Sequence, residues 1–158
     1  SKVSDDERSR RSVNAIDQSQ MAFYMTKELN KTLDDIEYAP ICFYNILSHP
    51  PITPLFACMN ISYYSRFDGA TIATSIETAN MMLKTKNNSR KFLYLWDLEW
   101  LRRPLNFDDI ISVLCHPDIN IIARSDSHKN MITNYCNREV AGVVDNWSID
   151  QLEKIIWT

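Results

Sequence analysis

The sequence predicts an α/β domain of Rossmann-like type, with a mostly parallel sheet and helices on both of its faces. From Gly69 onward, four short apolar runs are each followed by a helix-start signal and then by apolar residues at helical spacing. Successive strand–helix units need crossover connections, and these make neighbouring strands parallel. With 158 residues, of which 45% are hydrophobic, the chain is long enough for one domain with its own core.

The N-terminal part predicts a helical arm in front of this domain. Residues 1–11 are charged and almost free of apolar side chains, which is typical of a disordered tail. Ser12 is a candidate N-cap, and residues 12–36 carry an amphipathic helical pattern. Such a helix can pack on its own domain or on a second copy of the chain, and the pattern leaves both open.

Residues 37–158 are predicted to form the α/β domain. After Pro40, apolar runs at 41–46 and 55–64 predict strands or extended segments on either side of a proline-rich loop. The strands of the four units are predicted at 70–74, 91–98, 119–125 and 139–144. Their helices are predicted to start at the capping-box pattern Thr74–Glu77, at Asn106, at Ser127 and at the capping-box pattern Ser148–Gln151.

Composition excludes several function classes. A net charge of −3 provides no general basic field, so we do not expect a nucleic-acid partner. Two glycines, Gly69 and Gly142, cannot build a P-loop or a dinucleotide-binding fingerprint. No apolar run has the length of a membrane span and the sequence does not begin with a secretory signal, so a soluble cytoplasmic protein without membrane contact is expected.

Neither the cysteines nor the histidines predict a metal site. The four cysteines are widely spaced in apolar stretches, so we interpret them as reduced core thiols: Cys42, Cys58, Cys115 and Cys136. The three histidines are isolated in the sequence. Asn87 and Asn88 are surrounded in the sequence by four basic residues, Lys84, Lys86, Arg90 and Lys91. A solvated loop between a helix and a strand explains this group.

The candidate binding site lies at the carboxyl ends of the predicted strands, because ligands of open parallel sheets bind where the strand–helix loops gather. Polar or aromatic residues occupy these ends: Thr74, Ser75, Asp97, Glu99, Trp100, Arg124, Ser125, Asp126, His128, Asp145, Asn146 and Trp147. Helix capping explains part of this pattern, since serine, threonine and asparagine are also the preferred caps.

Helix capping does not explain the residue types found in two segments. Residues 95–103 place carboxylates, indoles and guanidinium groups just after a predicted buried strand, with Trp96, Asp97, Glu99, Trp100 and Arg102 as candidates. Indoles stack on sugars or bases, carboxylates accept hydroxyl hydrogen bonds or act as general bases, and arginines bind phosphate. The structural alternative is that the carboxylates pair with the arginines on the surface and the tryptophans pack under helices.

The second segment, residues 121–128, ends a strand in Arg124 and Ser125 and continues directly into a helix that contains His128. The free N–H groups at a helix start, with Arg124 and His128 nearby, can receive an anionic or polyhydroxyl group. The alternative is a satisfied helix cap with a solvated histidine.

Residues 120–152 resemble the end of the N-terminal, acceptor-side domain of GT-B glycosyltransferases. In that family a strand ends in a serine, a helix with an early histidine follows, and a further strand runs into an Asn-Gly-Val-Asp-like turn. Ser125, His128 and Asn146 match these positions, and Asp150 and Leu152 fall near the family's aspartate and apolar pair. KFLYLWDLEWL, at 91–101, is similar to the preceding strand and loop, and the resemblance covers about 90 residues from Gly69.

The resemblance implies a glycosyltransferase-like domain that binds a sugar or nucleotide-sugar at its strand ends. It implies Asp97 or Glu99 as hydroxyl acceptor or base, Arg124 as phosphate contact, and a nucleotide-sugar donor in place of a cofactor. Whether the chain itself catalyses hexosyl transfer stays open. The asparagine-rich, glycine-poor sequence resembles glycosyltransferase-related proteins of large tailed phages, which implies the cytoplasm of an infected host cell.

The sequence also departs from that family. Trp147 replaces the glycine after the turn asparagine, and the glycine-rich loop after the family's first strand is missing. The second GT-B domain, which binds most of the sugar nucleotide, would begin where this sequence ends. A homo-oligomer or a second chain supplies that half, the sequence is a fragment, or the half is reused as a binding module. The alternative function is therefore a non-enzymatic phage interaction protein that binds a protein partner through the N-terminal helix and a reused GT-B half.

Overall fold

The computed structural model describes residues 20–32, 40–44, 52–96 and 107–157, which fall into two compact units on either side of the Met59–Asn60 bond. In chain order the elements are α1 (residues 20–31), β1 (Ile41–Tyr44), β2 (Ala57–Asn60), a 3-10 helix (Ile61–Arg66), β3 (Ala70–Ala73), α2 (Ile76–Lys84), β4 (Arg90–Leu95), α3 (Phe107–Leu114), β5 (Ile119–Ala123), α4 (Asp126–Cys136), β6 (Gly142–Val143) and α5 (Ile149–Ile156).

The unit before Asn60 contains α1 and a two-stranded sheet of β1 and β2. Its helix lies within the predicted arm, whose residues 12–19 and 33–36 are outside the described part of the chain. Asn30 connects α1 to the segment before β2. Its side-chain amide donates to the Thr53 carbonyl (3.1 Å), and its side-chain oxygen accepts from the Leu55 N–H (2.9 Å). Over this stretch the arm is therefore hydrogen-bonded to its own chain.

The unit after Met59 is built on a parallel sheet of four strands that lie in chain order, β3-β4-β5-β6. The predicted α/β fold is thereby confirmed. The two central strands, β4 and β5, bury nearly every side chain from Phe92 to Leu95 and from Ile121 to Ala123. Such continuous apolar runs are typical of parallel strands that are covered on both faces.

Helices cover both faces of this sheet, as predicted. Crossovers between parallel strands are right-handed, and here each one leads to the next strand in the same direction. By this rule α2, α3 and α4 lie on one face of the sheet. The edge strand β3, which α2 contacts, buries Thr71 and Ala73 but leaves Ile72 half-buried, so these helices cover the Thr71 face. The register places Gly142 on the face of Ile72. There α5 approaches so closely that a Cβ on Gly142 would lie 2.5 Å from Ile155 Cδ1.

Several strands are shorter than predicted, and two of them differ most. The apolar run at 55–64 is a strand only over Ala57–Asn60, because the Asn60 side-chain oxygen accepts the Ser62 N–H (3.0 Å) and begins the 3-10 helix. This helix buries Tyr64, whose hydroxyl lies 3.1 Å from Thr71 Oγ1. The predicted strand at 139–144 extends only over Gly142–Val143.

The start of α2 is displaced by one residue from its prediction. Ser75, not Thr74, is the N-cap: its Oγ accepts the Thr78 N–H, and Thr78 Oγ1 accepts the Ser75 N–H, both at 3.1 Å. The pair is a capping box, but Thr78 rather than Glu77 completes it.

The starts of α4 and α5 also differ from their predictions. Ser125, not Ser127, caps α4, and its Oγ accepts the His128 N–H at 3.2 Å. Ser148 precedes α5 without a side-chain cap bond, and the Gln151 side chain does not complete the predicted capping box, because its Oε1 accepts the Asp145 N–H (2.7 Å). The predicted cap Asn106 is outside the described residues.

Arg138, which follows α4, connects α3 to β5. Its guanidinium donates to the carbonyls of Leu114 (2.9 Å), His116 (2.9 Å) and Ile119 (2.7 Å). Carbonyls at the end of a helix have no partner within the helix, and a cation there also complements the helix dipole. The Arg138 side chain therefore satisfies carbonyl groups at the end of α3 and at the start of β5.

We expect Arg138→Ala to lower the free energy of unfolding by about 2–4 kcal/mol, because hydrogen bonds to a charged group are stronger than neutral ones and the carbonyls lose their donor. Urea unfolding followed by circular dichroism measures this change. The exposed Arg66 provides the control, since Arg66→Ala should change the free energy by less than about 0.5 kcal/mol. Equally small losses in both variants would show that the Arg138 contacts do not stabilise the fold.

Candidate functional site

The carboxyl ends of the four parallel strands meet at one edge of the sheet, which we call the carboxyl edge. It is formed by the residues that follow these strands, and it contains seven of the predicted site residues: Thr74, Ser75, Trp96, Arg124, Ser125, His128 and Asn146. The other four predicted site residues lie outside the described part of the chain: Asp97, Glu99, Trp100 and Arg102.

Arg124 lies on Trp96 at the carboxyl edge. The strand register Leu95↔Ala123 makes the next two residues neighbours, and the Arg124 guanidinium carbon is 3.8 Å from the Trp96 ring centroid. Trp96 is only 6% exposed, whereas Arg124 is half-buried, so the guanidinium stacks on a buried indole. Among the described residues, no carboxylate lies within ion-pair distance of Arg124. The edge therefore presents a fixed guanidinium that can bind an anionic group.

Ser75 and Ser125 use their hydroxyls as helix caps, so capping accounts for both in this structure. The α4 start nevertheless adds to the environment of Arg124, because the first N–H groups of a helix attract negative charge. Asp126, in the first turn of α4, already complements part of this dipole. Arg124 is thus the main cationic feature of the described carboxyl edge.

Tyr94 organises the layer below this edge. Its hydroxyl donates to the Val144 carbonyl at 2.6 Å and accepts from the Trp147 N–H at 3.5 Å. Its ring makes edge-to-face contacts with Trp96 (centroids 5.9 Å apart) and Trp147 (4.9 Å). Burial raises the pKa of Tyr94 to about 12, against the opposing effects of the Trp147 hydrogen bond and of Arg124.

A strained turn presents Asn146 at the edge. Asn146 (φ 44°) and Trp147 (φ 60°) both have positive φ, and the Ser148 N–H donates to the Asp145 carbonyl at 2.9 Å, as in a type I′ turn. Asparagine tolerates this conformation, whereas a bulky residue there costs about 1–3 kcal/mol. Burial of the Trp147 ring on Tyr94 offsets that cost. Trp147, which stands where the GT-B family has glycine, thus preserves the turn and adds a buried ring that packs on Tyr94.

Trp147 carries one unsatisfied group. Its ring is 3% exposed, and its buried Nε1 has no hydrogen-bond partner among the described residues. A buried donor without a partner costs about 1–3 kcal/mol. The apolar packing of the ring outweighs this penalty, so Trp147 acts in this structure as a core residue below the edge.

A cavity of about 610 Å³ lies at the opposite, amino-terminal edge of the sheet. Its lining is mostly polar: Ser65, Asp68, Leu83, Thr85, Lys86, Asn87, Asn88, Lys91 and Asp118. The sequence pattern did not indicate a site here, because its basic residues are typical of a solvated loop. Asn87 donates to the Tyr64 carbonyl (3.0 Å) and accepts from Lys91 Nζ (3.1 Å). Two of the lining side chains, Asn87 and Lys91, thus bond each other, which favours a structural role for them over ligand binding.

The interpretation of the cysteines as core thiols is wrong. All four are free, but Cys58 and Cys115 are exposed and Cys42 and Cys136 are half-buried. Burial raises the pKa of Cys42 and of Cys136 to about 11 each. The described residues contain no group of three or more histidine, cysteine or acidic side chains that could hold a metal ion. They also include no helix with the length and hydropathy needed to cross a membrane.

The Tyr94 pKa predicts a specific loss of stability at alkaline pH. Since folding raises this pKa from 10.0 to about 12, the folded protein retains the phenolic proton that the unfolded chain releases. The resulting stabilisation is complete below about pH 10 and is lost as the pH rises towards about 12. The difference in unfolding free energy between the wild type and Tyr94→Phe should therefore shrink between about pH 9.5 and pH 11.5 in urea titrations.

At about pH 8 Tyr94→Phe should cost about 1–3 kcal/mol, because the Val144 carbonyl loses its donor. The exposed Tyr63 serves as a control, and Tyr63→Phe should follow the wild-type pH curve. Parallel curves for the wild type and Tyr94→Phe would contradict this role of Tyr94.

Comparison with known proteins assigns the chain to no family. Comparison of the chain with protein-family models, with curated proteins and with solved structures finds no match.

Proposed function

We propose that this chain binds a sugar or nucleotide-sugar at the carboxyl edge of its four-stranded sheet, as a glycosyltransferase-like domain. One observation carries the proposal. Arg124 is half-buried, rests on the Trp96 indole at 3.8 Å and has no ion pair with a described residue. A cation held in this way is preorganised for phosphate, because little side-chain entropy is lost when it binds.

The surroundings of Arg124 support a ligand that has both anionic and polar groups. The N-terminus of α4 favours negative charge, and Asn146 offers a carboxamide on the neighbouring turn. Asp97, Glu99, Trp100 and Arg102 follow Trp96 in the chain. In the proposal, Asp97 or Glu99 accepts a substrate hydroxyl proton and Trp100 stacks on a sugar or base.

Hexosyl transfer would need a second lobe to hold the rest of the sugar nucleotide. The resemblance to the acceptor-side GT-B domain supports this extension of the proposal, in which a donor-side lobe completes the site. The phage relationship and the cytoplasm of an infected cell are parts of the same proposal. Sugar binding by this chain alone is the step to test first.

We expect one nucleotide-sugar to bind when the purified chain is screened by ligand-observed NMR against nucleotide-sugars, free nucleotides and simple sugars. Arg124→Gln should weaken that binding by about 10- to 100-fold, since a charge-assisted hydrogen bond contributes about 1.5–3 kcal/mol. Asp97→Ala and Glu99→Ala should abolish binding or transfer, while the Tm changes by less than about 2 °C.

Arg66→Gln is the matched control, because it removes an exposed arginine from the 3-10 helix and should leave the affinity unchanged. Silence across the whole panel, or equal affinity in the wild type and Arg124→Gln, would refute the proposed site. A large drop in Tm for Asp97→Ala or Glu99→Ala would instead assign these carboxylates a structural role.

A second candidate function is self-association through the unit before Asn60. This unit leaves three apolar side chains exposed, namely Phe23 (38% exposed), Leu55 (66%) and Met59 (41%). Phe23 lies on α1, and Leu55 lies in the segment that Asn30 connects to that helix. Contiguous exposed apolar side chains are typical of protein interfaces, and we propose that these three belong to one such patch.

Sedimentation of the purified chain at rising concentration tests this candidate. We expect a dimer that the double variant Phe23→Ser/Leu55→Ser converts to a monomer. Trp157→Ser is the control, since Trp157 is 63% exposed but belongs to the other unit. A wild-type chain that stays monomeric, or a dimer that both variants retain, would rule out this interface.

A further inference from the structure

Two of the four cysteines lie on paired strands. Cys42 is in β1 and Cys58 is in β2, and these strands form the two-stranded sheet of the first unit. After burial, the interaction with Cys58 is the next cause that raises the pKa of Cys42. Sequence spacing gives no sign of this proximity, because strand pairing brings together residues from separate apolar runs.

The two thiols have different surroundings. Cys58 is exposed and therefore meets solutes directly, and its S–H also lies 3.8 Å from the Phe56 carbonyl. Cys42 is half-buried, and its burial together with the adjacent Cys58 raises its pKa to about 11. Near neutral pH Cys42 thus remains a protonated thiol beside an accessible partner.

We propose that Cys42 and Cys58 form a reversible dithiol–disulfide site that reacts with hydrogen peroxide. The Cys58 thiolate sulfur attacks one peroxide oxygen, the O–O bond breaks and hydroxide leaves as water after protonation. The Cys58 sulfenic acid then reacts with Cys42, whose sulfur loses its proton and attacks the Cys58 sulfur. The S–O bond breaks and a second water leaves. Two thiols are thereby oxidised by two electrons, and one peroxide is reduced to two waters.

The cross-link has a structural consequence for the first unit. A two-stranded sheet with strands of four residues is weakly stable without further support. A disulfide between β1 and β2 closes the intervening segment into a loop and restricts the unfolded chain. Oxidation should therefore make this unit harder to unfold, and reduction should reverse the change.

The test uses the full chain with Cys115→Ser/Cys136→Ser, so that only the proposed pair remains. After treatment with equimolar hydrogen peroxide near neutral pH, free thiols are blocked with N-ethylmaleimide and peptides are mapped by mass spectrometry. We expect a Cys42–Cys58 cross-linked peptide, lighter than the dithiol form by two hydrogens. Dithiothreitol should remove the cross-link, and the oxidised chain should have the higher Tm.

The same mapping on the unsubstituted chain keeps the proposal testable if the serine variant does not fold. Cys42→Ser is the matched control, in which Cys58 should accumulate as a sulfenic acid that dimedone labels. The proposal fails if Cys58 is oxidised to sulfinic acid, or forms disulfides only between molecules, while Cys42 stays a free thiol.

Discussion

The Tyr94 hydroxyl is the contact on which the carboxyl edge of the sheet depends. β6 has only two residues and pairs with no described strand other than β5, so its backbone ladder is short. From β4, Tyr94 reaches past β5 to the Val144 carbonyl, and it also accepts the Trp147 N–H. One side chain thus attaches the last strand and the turn before α5 to the centre of the sheet. The aromatic contacts of Trp96 and Trp147 with Tyr94 belong to the same layer.

This layer explains why Arg124 is positioned as it is. Trp96 rests on Tyr94, and Arg124 rests on Trp96, so the guanidinium is supported from below by buried rings. Several other polar side chains at the edge already have structural partners, since Ser75 and Ser125 cap helices and Gln151 binds the Asp145 backbone. A hydroxyl used in a cap is poorly available to a ligand. An arginine stacked on an indole can still donate its N–H groups to a ligand.

The alternation of apolar runs and helix signals was sufficient to predict the four strand–helix units, because strand and helix periods differ and crossovers follow from their order. It was not sufficient for the ends of the elements. Thr74 and Ser75 are both good caps, and only the backbone of the folded loop selects Ser75. The apolar run after Asn60 suits a strand or a 3-10 helix equally well, and the Asn60 side chain decides between them.

The candidate site, too, could be predicted from the sequence only in part. The residue types at the strand ends, and the edge at which they gather, follow from the order of the units, since parallel strands carry their carboxyl ends to one side. The stacking of Arg124 on Trp96 depends on strand register, and the placement of Cys42 and Cys58 on neighbouring strands depends on strand pairing; apolar patterns alone determine neither. Local pattern is enough to order the elements of this chain, whereas contacts between residues distant in sequence exist only once the strands have paired.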